Sequence, residues 1–328
     1  MSWKKYISND IETYRVADSE RQYFYTDSLD LEDLNDSERE FSFTNCGLTI
    51  EYVYKEALDM LPSGVYKLVM EMNQQVVKPW YSESQKLLHF SIVDEVLDDY
   101  SVFSDQKELY NKLQVVYKRG ILLYGPPGTG KTSIINLLIE QIKTENTVVI
   151  YVPNSISDSI LCELKKDNRM KIIILEELTE TLKHNDLRRF LTFLDGENSL
   201  SNCYVIATTN YPEELPKNLV DRPGRFDVLF KIDQLSRNNI YSYLNYLLDR
   251  PPFDEEIDVC LDLSISYIKE LVLSMLKKQI DMKEAIKEIN KHRDILKSSF
   301  KMSGQTKPVG FYIEEEEDSD GFSNRRLL

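Results

Sequence analysis

The residues with the clearest chemical potential in this chain lie at 125–132, where the sequence reads Gly-Pro-Pro-Gly-Thr-Gly-Lys-Thr. Glycines let the backbone wrap closely around an anion, and the amides from Gly128 onward would supply the cradle, because proline has no N–H to donate. Lys131 would neutralise the β- and γ-phosphates, and the Thr132 hydroxyl would bind Mg²⁺. The pattern predicts a phosphate-binding loop for a nucleoside triphosphate. Its residues are Gly125, Pro126, Pro127, Gly128, Thr129, Gly130, Lys131, Thr132 and Ser133.

The sequence around this loop supplies the strand before it and the helix after it that such a loop needs. An apolar run covers 121–124, and a helical pattern covers 131–143. Further apolar runs of strand length occupy 148–152, 172–175 and 203–208, with helical patterns at 156–166 and 185–195. Unbroken apolar strands that alternate with helices indicate an α/β fold, with a parallel sheet covered on both faces.

Two carboxylates follow one of these buried strands, in the stretch Lys-Ile-Ile-Ile-Leu-Glu-Glu at 171–177. Downstream of a phosphate-binding loop, the first carboxylate holds Mg²⁺ and the second polarises the attacking water. We therefore predict Glu176 as a metal ligand, together with Thr132, and Glu177 as the general base. Aspartate is usual at the first position, so the extra methylene of Glu176 is expected to affect metal geometry and rate.

Two further segments carry polar side chains suited to phosphoryl transfer. The strand at 206–209 is followed by Asn210, whose neutral amide could orient the attacking water. The alternative is that Asn210 only caps the end of the strand. Asp-Arg-Pro-Gly-Arg-Phe-Asp at 221–227 presents Arg222 and Arg225 around a Pro-Gly turn. Paired guanidinium groups suit the charge of a phosphoryl transition state. The alternative is that the two arginines only form surface ion pairs.

In this order and spacing, the four motifs resemble the AAA ATPase family over about 120–232, with weaker similarity in a helical lid to about 300. The resemblance implies a five-stranded parallel sheet with flanking helices and a lid. It implies ATP hydrolysis with Mg²⁺ in a homo-oligomeric ring, a hexamer or heptamer. In that ring Arg222 and Arg225 would reach the nucleotide of the neighbouring subunit.

Within this family, residues 117–133 and the Leu-Glu-Glu at 175–177 are most similar to the mitochondrial chaperone subgroup that assembles the Rieske protein. The chain departs from that subgroup in showing no transmembrane segment. It also lacks an aromatic residue in 153–160, where threading members of the family carry an aromatic-glycine pore motif. No arginine lies in 264–271, so a lid arginine that senses nucleotide is not expected.

Four segments are predicted along the chain. Residues 1–100 are acidic and contain β-favouring runs at 65–70, 75–78 and 86–90, so we predict a small, separate N-terminal domain that serves as an adaptor for a protein client. The acidic stretch at 27–40 is expected to be a solvated arm. Residues 101–235 form the ATPase domain, 236–302 the helical lid, and 303–328 an acidic tail.

Composition narrows the class of protein. With 40 basic and 55 acidic residues the formal charge is −15, which disfavours binding to nucleic acids or to an anionic membrane. No apolar stretch approaches the roughly 20 residues that span a bilayer, and no signal peptide is apparent. Four cysteines and three histidines are scattered without the spacing of a zinc site. We therefore expect a soluble protein of a reducing compartment, the cytoplasm.

The function expected from the sequence is an ATPase whose ring remodels or assembles another protein. One alternative is a nucleic-acid-linked motor or loader, which the net charge disfavours. A second is a nucleotide-gated scaffold that binds ATP but hydrolyses it negligibly because of Glu176.

Overall fold

The computed structural model describes residues 3–8, 11–16, 40–45, 48–71, 74–81, 90–142, 146–153, 155–184, 194, 199–222 and 224–291. These residues fall into two compact units. The first comprises the described residues up to Gly125 together with Gly130–Asp233, and the second comprises Pro126–Thr129 and the described residues from Gln234 onward. Four predicted features lie wholly or mostly outside the described residues: the acidic arm, the strand at 86–90, the helix at 185–195 and the tail.

The strands of the described chain all belong to the first unit. They are β1 (Trp3–Ser8), β2 (Ile11–Val16), β3 (Glu40–Asn45), β4 (Leu48–Leu58), β5 (Gly64–Glu71), β6 (Gln74–Pro79), β7 (Lys118–Tyr124), β8 (Thr147–Tyr151), β9 (Met170–Leu175), β10 (Cys203–Thr209) and β11 (Val228–Lys231).

The helices are divided between the two units. The first unit contains α1 (Ser91–Ser104), α2 (Lys107–Leu113), α3 (Lys131–Ile142), α4 (Asp158–Lys166), α5 (Leu178–His184) and α6 (Lys217–Val220). The second contains α7 (Arg237–Leu248), α8 (Asp254–Cys260), α9 (Ile265–Lys278) and α10, described over 282–291.

The described strands form one sheet in the order β11-β7-β10-β9-β8-β5-β6-β2-β1-β4-β3. The first five of these strands pair in parallel, as predicted for the ATPase fold. Every residue of β8 and β10 is buried, which explains their unbroken apolar sequences. Strands β7, β10 and β9 lie side by side, so the segments that follow them meet at one edge of the sheet.

The N-terminal strands extend this sheet, and the prediction of a separate N-terminal domain is revised accordingly. Strand β5 pairs in parallel with β8, with Tyr66 opposite Ile150, and the antiparallel strands continue outward from β6. Trp3 and Tyr14 share one hydrophobic cluster with Ile173. The edge of β8 would otherwise leave a row of unpaired backbone groups, and β5 satisfies them.

A half-buried arginine joins the N-terminal strands to the central sheet. The guanidinium of Arg169 donates to both carboxylate oxygens of Asp167, with its closest contact at 2.6 Å. It also donates to the Ser63 hydroxyl at 3.0 Å and to the Leu61 carbonyl at 2.5 Å. Opposite charges hold the pKa of the Asp167 carboxyl low against the effect of its burial. The loop before β5 is thereby fixed to the loop before β9.

The second unit is helical from α7 onward, and its start at Gln234 lies close to the predicted start of the lid at 236. Ser236 caps α7, because its hydroxyl accepts the Asn239 amide proton at 3.3 Å. Apolar residues of α7 and α9, Ile240 and Ile268 among them, are fully buried.

Candidate functional site

The phosphate-binding loop leaves β7 through a glycine that no other residue could replace without rearrangement. A Cβ built on Gly125 would lie 2.1 Å from the Ile232 carbonyl oxygen, and the residue has a φ of +149°. Its amide donates to the Thr209 carbonyl at 3.3 Å. Gly128 and Gly130 have φ values of +78° and +97°, in the region that favours glycine. The local sequence therefore dictates the loop conformation.

The tip of this loop packs on the start of α9 within the second unit. Both the amide and the hydroxyl of Ser266 donate to the Gly128 carbonyl, at 3.2 and 3.3 Å. A Cβ on Gly128 would lie 2.8 Å from the Ser264 hydroxyl oxygen. Thr129 is buried, and its hydroxyl donates to the Pro126 carbonyl at 2.9 Å.

Lys131 is buried at the start of α3, with only 8% of its surface exposed. Its ammonium donates to the Gly125 carbonyl at 2.7 Å. Burial lowers the pKa of Lys131 to about 8, and the nearby carboxylate of Glu177 opposes that shift. A buried lysine with a lowered pKa becomes fully charged when a bound anion compensates for its lost hydration.

Glu176 lies directly after β9 and reaches the residue next to the lysine. The Thr132 hydroxyl donates to Glu176 Oε1 at 2.7 Å. Glu176 is half-buried. The burial of Tyr151 and the charge of Glu176 together raise the pKa of Tyr151, whose hydroxyl donates to Asn136 at 3.1 Å. A hydroxyl and a carboxylate in contact are oxygen ligands of the type that Mg²⁺ prefers, so this pair fits the ion. The predicted metal ligands therefore lie together.

Glu177 is exposed and has a left-handed backbone, with a φ of +50°. Its amide donates to the Thr208 hydroxyl of the neighbouring strand at 3.1 Å. A non-glycine residue in this conformation is uncommon, and such strain persists only where surrounding contacts impose it. The contact with Thr208 holds the backbone of Glu177 at the end of the strand.

Asn210 follows β10 at the same edge of the sheet and is half-buried. Thr209, just before it, bonds to the Thr179 hydroxyl at 2.5 Å and accepts the Tyr211 amide proton at 3.1 Å. Register pairs Thr209 with Tyr124 on β7, next to the phosphate-binding loop. The phosphate-binding loop, both glutamates and the asparagine thus follow strands that end at one edge of the sheet.

The two arginines lie at the other end of β7 and differ in exposure. The Asp227 amide donates to the Gly120 carbonyl at 2.7 Å, and the Asp227 carboxylate accepts the Gly120 amide at 3.0 Å. Arg222 is exposed, whereas Arg225 is 4% exposed and donates to the Asn218 carbonyl of its own chain. Gly120 and Gly125 are five positions apart along an extended chain, which corresponds to about 16 Å.

This difference revises the equal roles predicted for the two arginines. A Cβ on Gly120 would lie 1.8 Å from the Arg225 carbonyl oxygen, so the backbone of Arg225 is packed directly on β7. A side chain buried in its own subunit is poorly placed to reach a neighbouring nucleotide. Arg222 keeps the exposure that the predicted role requires.

One contact that the sequence did not suggest fixes the loop after β8. The Gln75 side chain on β6 donates to the Ser155 carbonyl at 2.5 Å and accepts the Ser157 amide proton at 2.7 Å. The Thr181 hydroxyl donates to the Pro153 carbonyl at 3.2 Å. This loop corresponds to the predicted non-aromatic pore segment. Gln75 carries no sequence signal, because its partners lie some 80 positions away.

Comparison with known proteins agrees with this geometry. Residues 121–234 match the ATPase family associated with various cellular activities (AAA). The chain contains an AAA ATPase domain.

The relatives are named ATPases, chaperones and proteases. The human mitochondrial chaperone BCS1 is 29% identical over 43% of this chain and 38% of the relative. The proteasome-activating nucleotidase of Methanothermobacter thermautotrophicus is 27% identical over 62% of this chain and 54% of the relative. The ATP-dependent zinc metalloprotease FtsH 2 of a Thermoanaerobacter species is 29% identical over 51% and 37%. The chain thus spans between 37% and 54% of these relatives.

None of the described helices combines the length and the apolar character that would let it cross a membrane.

Proposed function

We propose that this chain hydrolyses ATP. The observation that carries the proposal is that a buried lysine, a hydroxyl-carboxylate pair and a second carboxylate meet at one edge of the sheet. Lys131 precedes Thr132, whose hydroxyl donates to Glu176 at 2.7 Å, while the backbone amide of Glu177 donates to Thr208 at 3.1 Å. An anion site, a metal-ligand pair and an exposed carboxylate are what phosphoryl transfer to water requires.

Each group has a distinct role in this proposal. The backbone of the phosphate-binding loop and Lys131 bind the β- and γ-phosphates. Thr132 and Glu176 would hold Mg²⁺, which would neutralise phosphate charge. Glu177 accepts the proton of the attacking water, and Asn210 orients that water.

We propose that Arg222 completes the site of a neighbouring subunit, in a ring of six or seven copies. The length of β7 separates the arginine loop from the phosphate-binding loop of the same chain, which argues against action on its own nucleotide. Arg225 holds the loop in place through the Asn218 carbonyl. An arginine contributed by a neighbour raises hydrolysis by about 10³–10⁵-fold in other nucleotide hydrolases.

The purpose that best fits the chain is remodelling or assembly of another protein, with the N-terminal strands as the client-binding part. Relatives with this domain are named chaperones and a proteasome-activating nucleotidase. The formal charge of −15 disfavours a motor that acts on nucleic acid. Since Cys203 and Cys260 are buried free thiols, we propose a reducing compartment, the cytoplasm.

Steady-state ATPase measurements with and without Mg²⁺ test the proposal. Lys131→Ala should lose nucleotide binding, whereas Glu177→Gln should bind a fluorescent ATP analogue normally and lose hydrolysis, because the amide cannot accept a proton. Unchanged binding by Lys131→Ala would refute the phosphate site. Negligible turnover by the wild-type protein at saturating Mg²⁺-ATP and high protein concentration would favour the nucleotide-gated scaffold. Capture of a client by Glu177→Gln in ATP would identify the protein acted on.

A further inference from the structure

Three buried threonines surround the backbone of the segments that carry Glu177 and Asn210. Thr208 and Thr209 are the last two residues of β10, and Thr179 lies in the first turn of α5. None of the three is more than 4% exposed. Burial of a hydroxyl is costly unless it is hydrogen-bonded, so the partners of these side chains matter. We call these three residues the threonine cluster.

The backbone of Glu177 is held in a conformation that is unusual for its position. Glu177 directly precedes α5, and its carbonyl accepts the Thr181 amide proton at 3.0 Å in the first turn of the helix. A residue in this place normally has an extended backbone, whereas Glu177 has a φ of +50°. Its amide donates to the Thr208 hydroxyl at 3.1 Å. This contact with the neighbouring strand opposes relaxation of Glu177 to a commoner conformation.

Thr179 and Thr209 make a second set of contacts at the end of β10. The Thr209 hydroxyl accepts the Tyr211 amide proton at 3.1 Å, and the Thr179 hydroxyl donates to the Tyr211 carbonyl at 3.2 Å. The two hydroxyls bond each other at 2.5 Å. Because each hydroxyl has one proton, Thr209 is the donor in that bond. Successive residues of a strand point to opposite faces, so Thr208 and Thr209 hold residues 177–179 from both faces of the sheet.

These contacts also fix the backbone on both sides of Asn210, which lies between Thr209 and Tyr211. The Thr209 carbonyl accepts the Gly125 amide proton at 3.3 Å, at the start of the phosphate-binding loop. The threonine cluster therefore joins the segment of Glu177 to the segment of Asn210, and joins both to the loop. Its hydroxyls are neutral, so they hold these segments together without adding charge beside a carboxylate that must accept a proton.

We infer that the threonine cluster positions the general base and the water-orienting amide as one unit, so that a water molecule bound to Asn210 lies within reach of Glu177. This inference rests on the proposed roles of Glu177 and Asn210. A general base must lie within hydrogen-bonding distance of the proton that it accepts, and a displacement of about 1 Å can lower a rate about a hundredfold. The three threonines are positioning residues, because they act through the backbone of those two groups.

The test compares Thr208→Val with Thr208→Ser in the full chain. Valine matches the shape of threonine but lacks the oxygen that accepts the Glu177 amide proton, whereas serine keeps that oxygen. At saturating Mg²⁺-ATP, Thr208→Val should lower kcat at least about tenfold, while KM and the affinity for a fluorescent ATP analogue change less than about twofold. Thr208→Ser should recover most of the wild-type kcat. Without nucleotide, hydrogen exchange of the Glu177 amide should accelerate at least about tenfold in Thr208→Val and not in Thr208→Ser.

Thr13→Val is the matched control. In the part of the chain that the structure describes, Thr13 lies on β2, is fully buried, and has a hydroxyl without a hydrogen-bond partner. The same substitution at this position should leave kcat and exchange at Glu177 unchanged. Thr179→Val is a second test variant, because it removes the contacts with Thr209 and Tyr211 from the opposite face. It should lower kcat without lowering nucleotide affinity, even if Thr208→Val does not fold.

The possible failures are distinguishable. Faster exchange at Glu177 with a wild-type kcat in Thr208→Val would overturn the inference and leave the proposed ATPase intact, as would exchange that does not change. A loss of kcat that is matched by a loss of nucleotide affinity, or that Thr208→Ser does not recover, would mean that the threonines only stabilise the fold, and would overturn it too. Wild-type turnover by Glu177→Gln would instead refute the proposed base, and the inference with it.

Discussion

Nucleotide affinity should weaken as pH rises through the titration of Lys131. The pKa of this lysine is about 8 in the free protein, because burial disfavours its charge. Bound phosphates favour the charged form, so the pKa in the complex should return to at least about 10.5. Binding then takes up roughly half a proton at pH 8, and the association constant should fall about eightfold between pH 7.5 and pH 9.

Isothermal titration calorimetry in buffers of different ionisation enthalpy measures both the proton uptake and the affinity. Lys131→Arg serves as the control, because an arginine stays charged throughout this range and should remove the pH dependence. Glu177→Gln should move the midpoint to lower pH, since the carboxylate that supports the lysine charge is lost. A wild-type affinity that stays constant or rises from pH 7.5 to pH 9 would refute the account of Lys131.

Two further predictions concern contacts around the sheet edge. Glu176→Asp shortens the side chain by about 1.5 Å and breaks the bond to Thr132, so Mg²⁺-dependent turnover should fall. A large gain in turnover would contradict this prediction and would mean that Glu176 slows hydrolysis. Gln75→Ala removes the acceptor of the Ser157 amide, so hydrogen exchange there should accelerate at least tenfold. The neighbouring Gln74→Ala should leave exchange at Ser157 unchanged.

The sequence predicted what depends on local patterns. Glycine spacing, the lysine-threonine pair and the apolar strand before them are contiguous, and strands β7 to β10 are buried on both faces, so their apolar runs are unbroken. The predicted five-stranded parallel sheet is confirmed in β11, β7, β10, β9 and β8, whereas their order was not predicted and β5 adds a further parallel strand. The strands at 65–70 and 75–78 correspond to β5 and β6.

Features that depend on distant contacts were not accessible from sequence. No local pattern states that β5 pairs with β8, because that pairing brings together segments more than 80 positions apart. The contacts of Gln75 have the same cause. Helix α2 was missed because it buries none of its residues, whereas α1 was missed although its buried residues Val93, Val96 and Phe103 recur at helical spacing.

The arginine motif shows a third limit of sequence patterns. Arg222 and Arg225 are equivalent in chemistry and lie three positions apart, so a pattern cannot rank them. The ranking comes from the packing of the Arg225 backbone on Gly120, which places that arginine inside its own subunit.

The most direct test of the central claim is the ATPase activity of a mixture of two inactive variants. Arg222→Ala keeps its own phosphate site and lacks the arginine, whereas Lys131→Ala keeps the arginine and lacks the phosphate site. If Arg222 acts on the neighbouring subunit, an equimolar mixture that assembles randomly should recover about a quarter of wild-type turnover per subunit, since half of the sites bind ATP and half of those meet an intact arginine. A mixture with no more turnover than the two variants measured separately would contradict hydrolysis at a site shared between subunits.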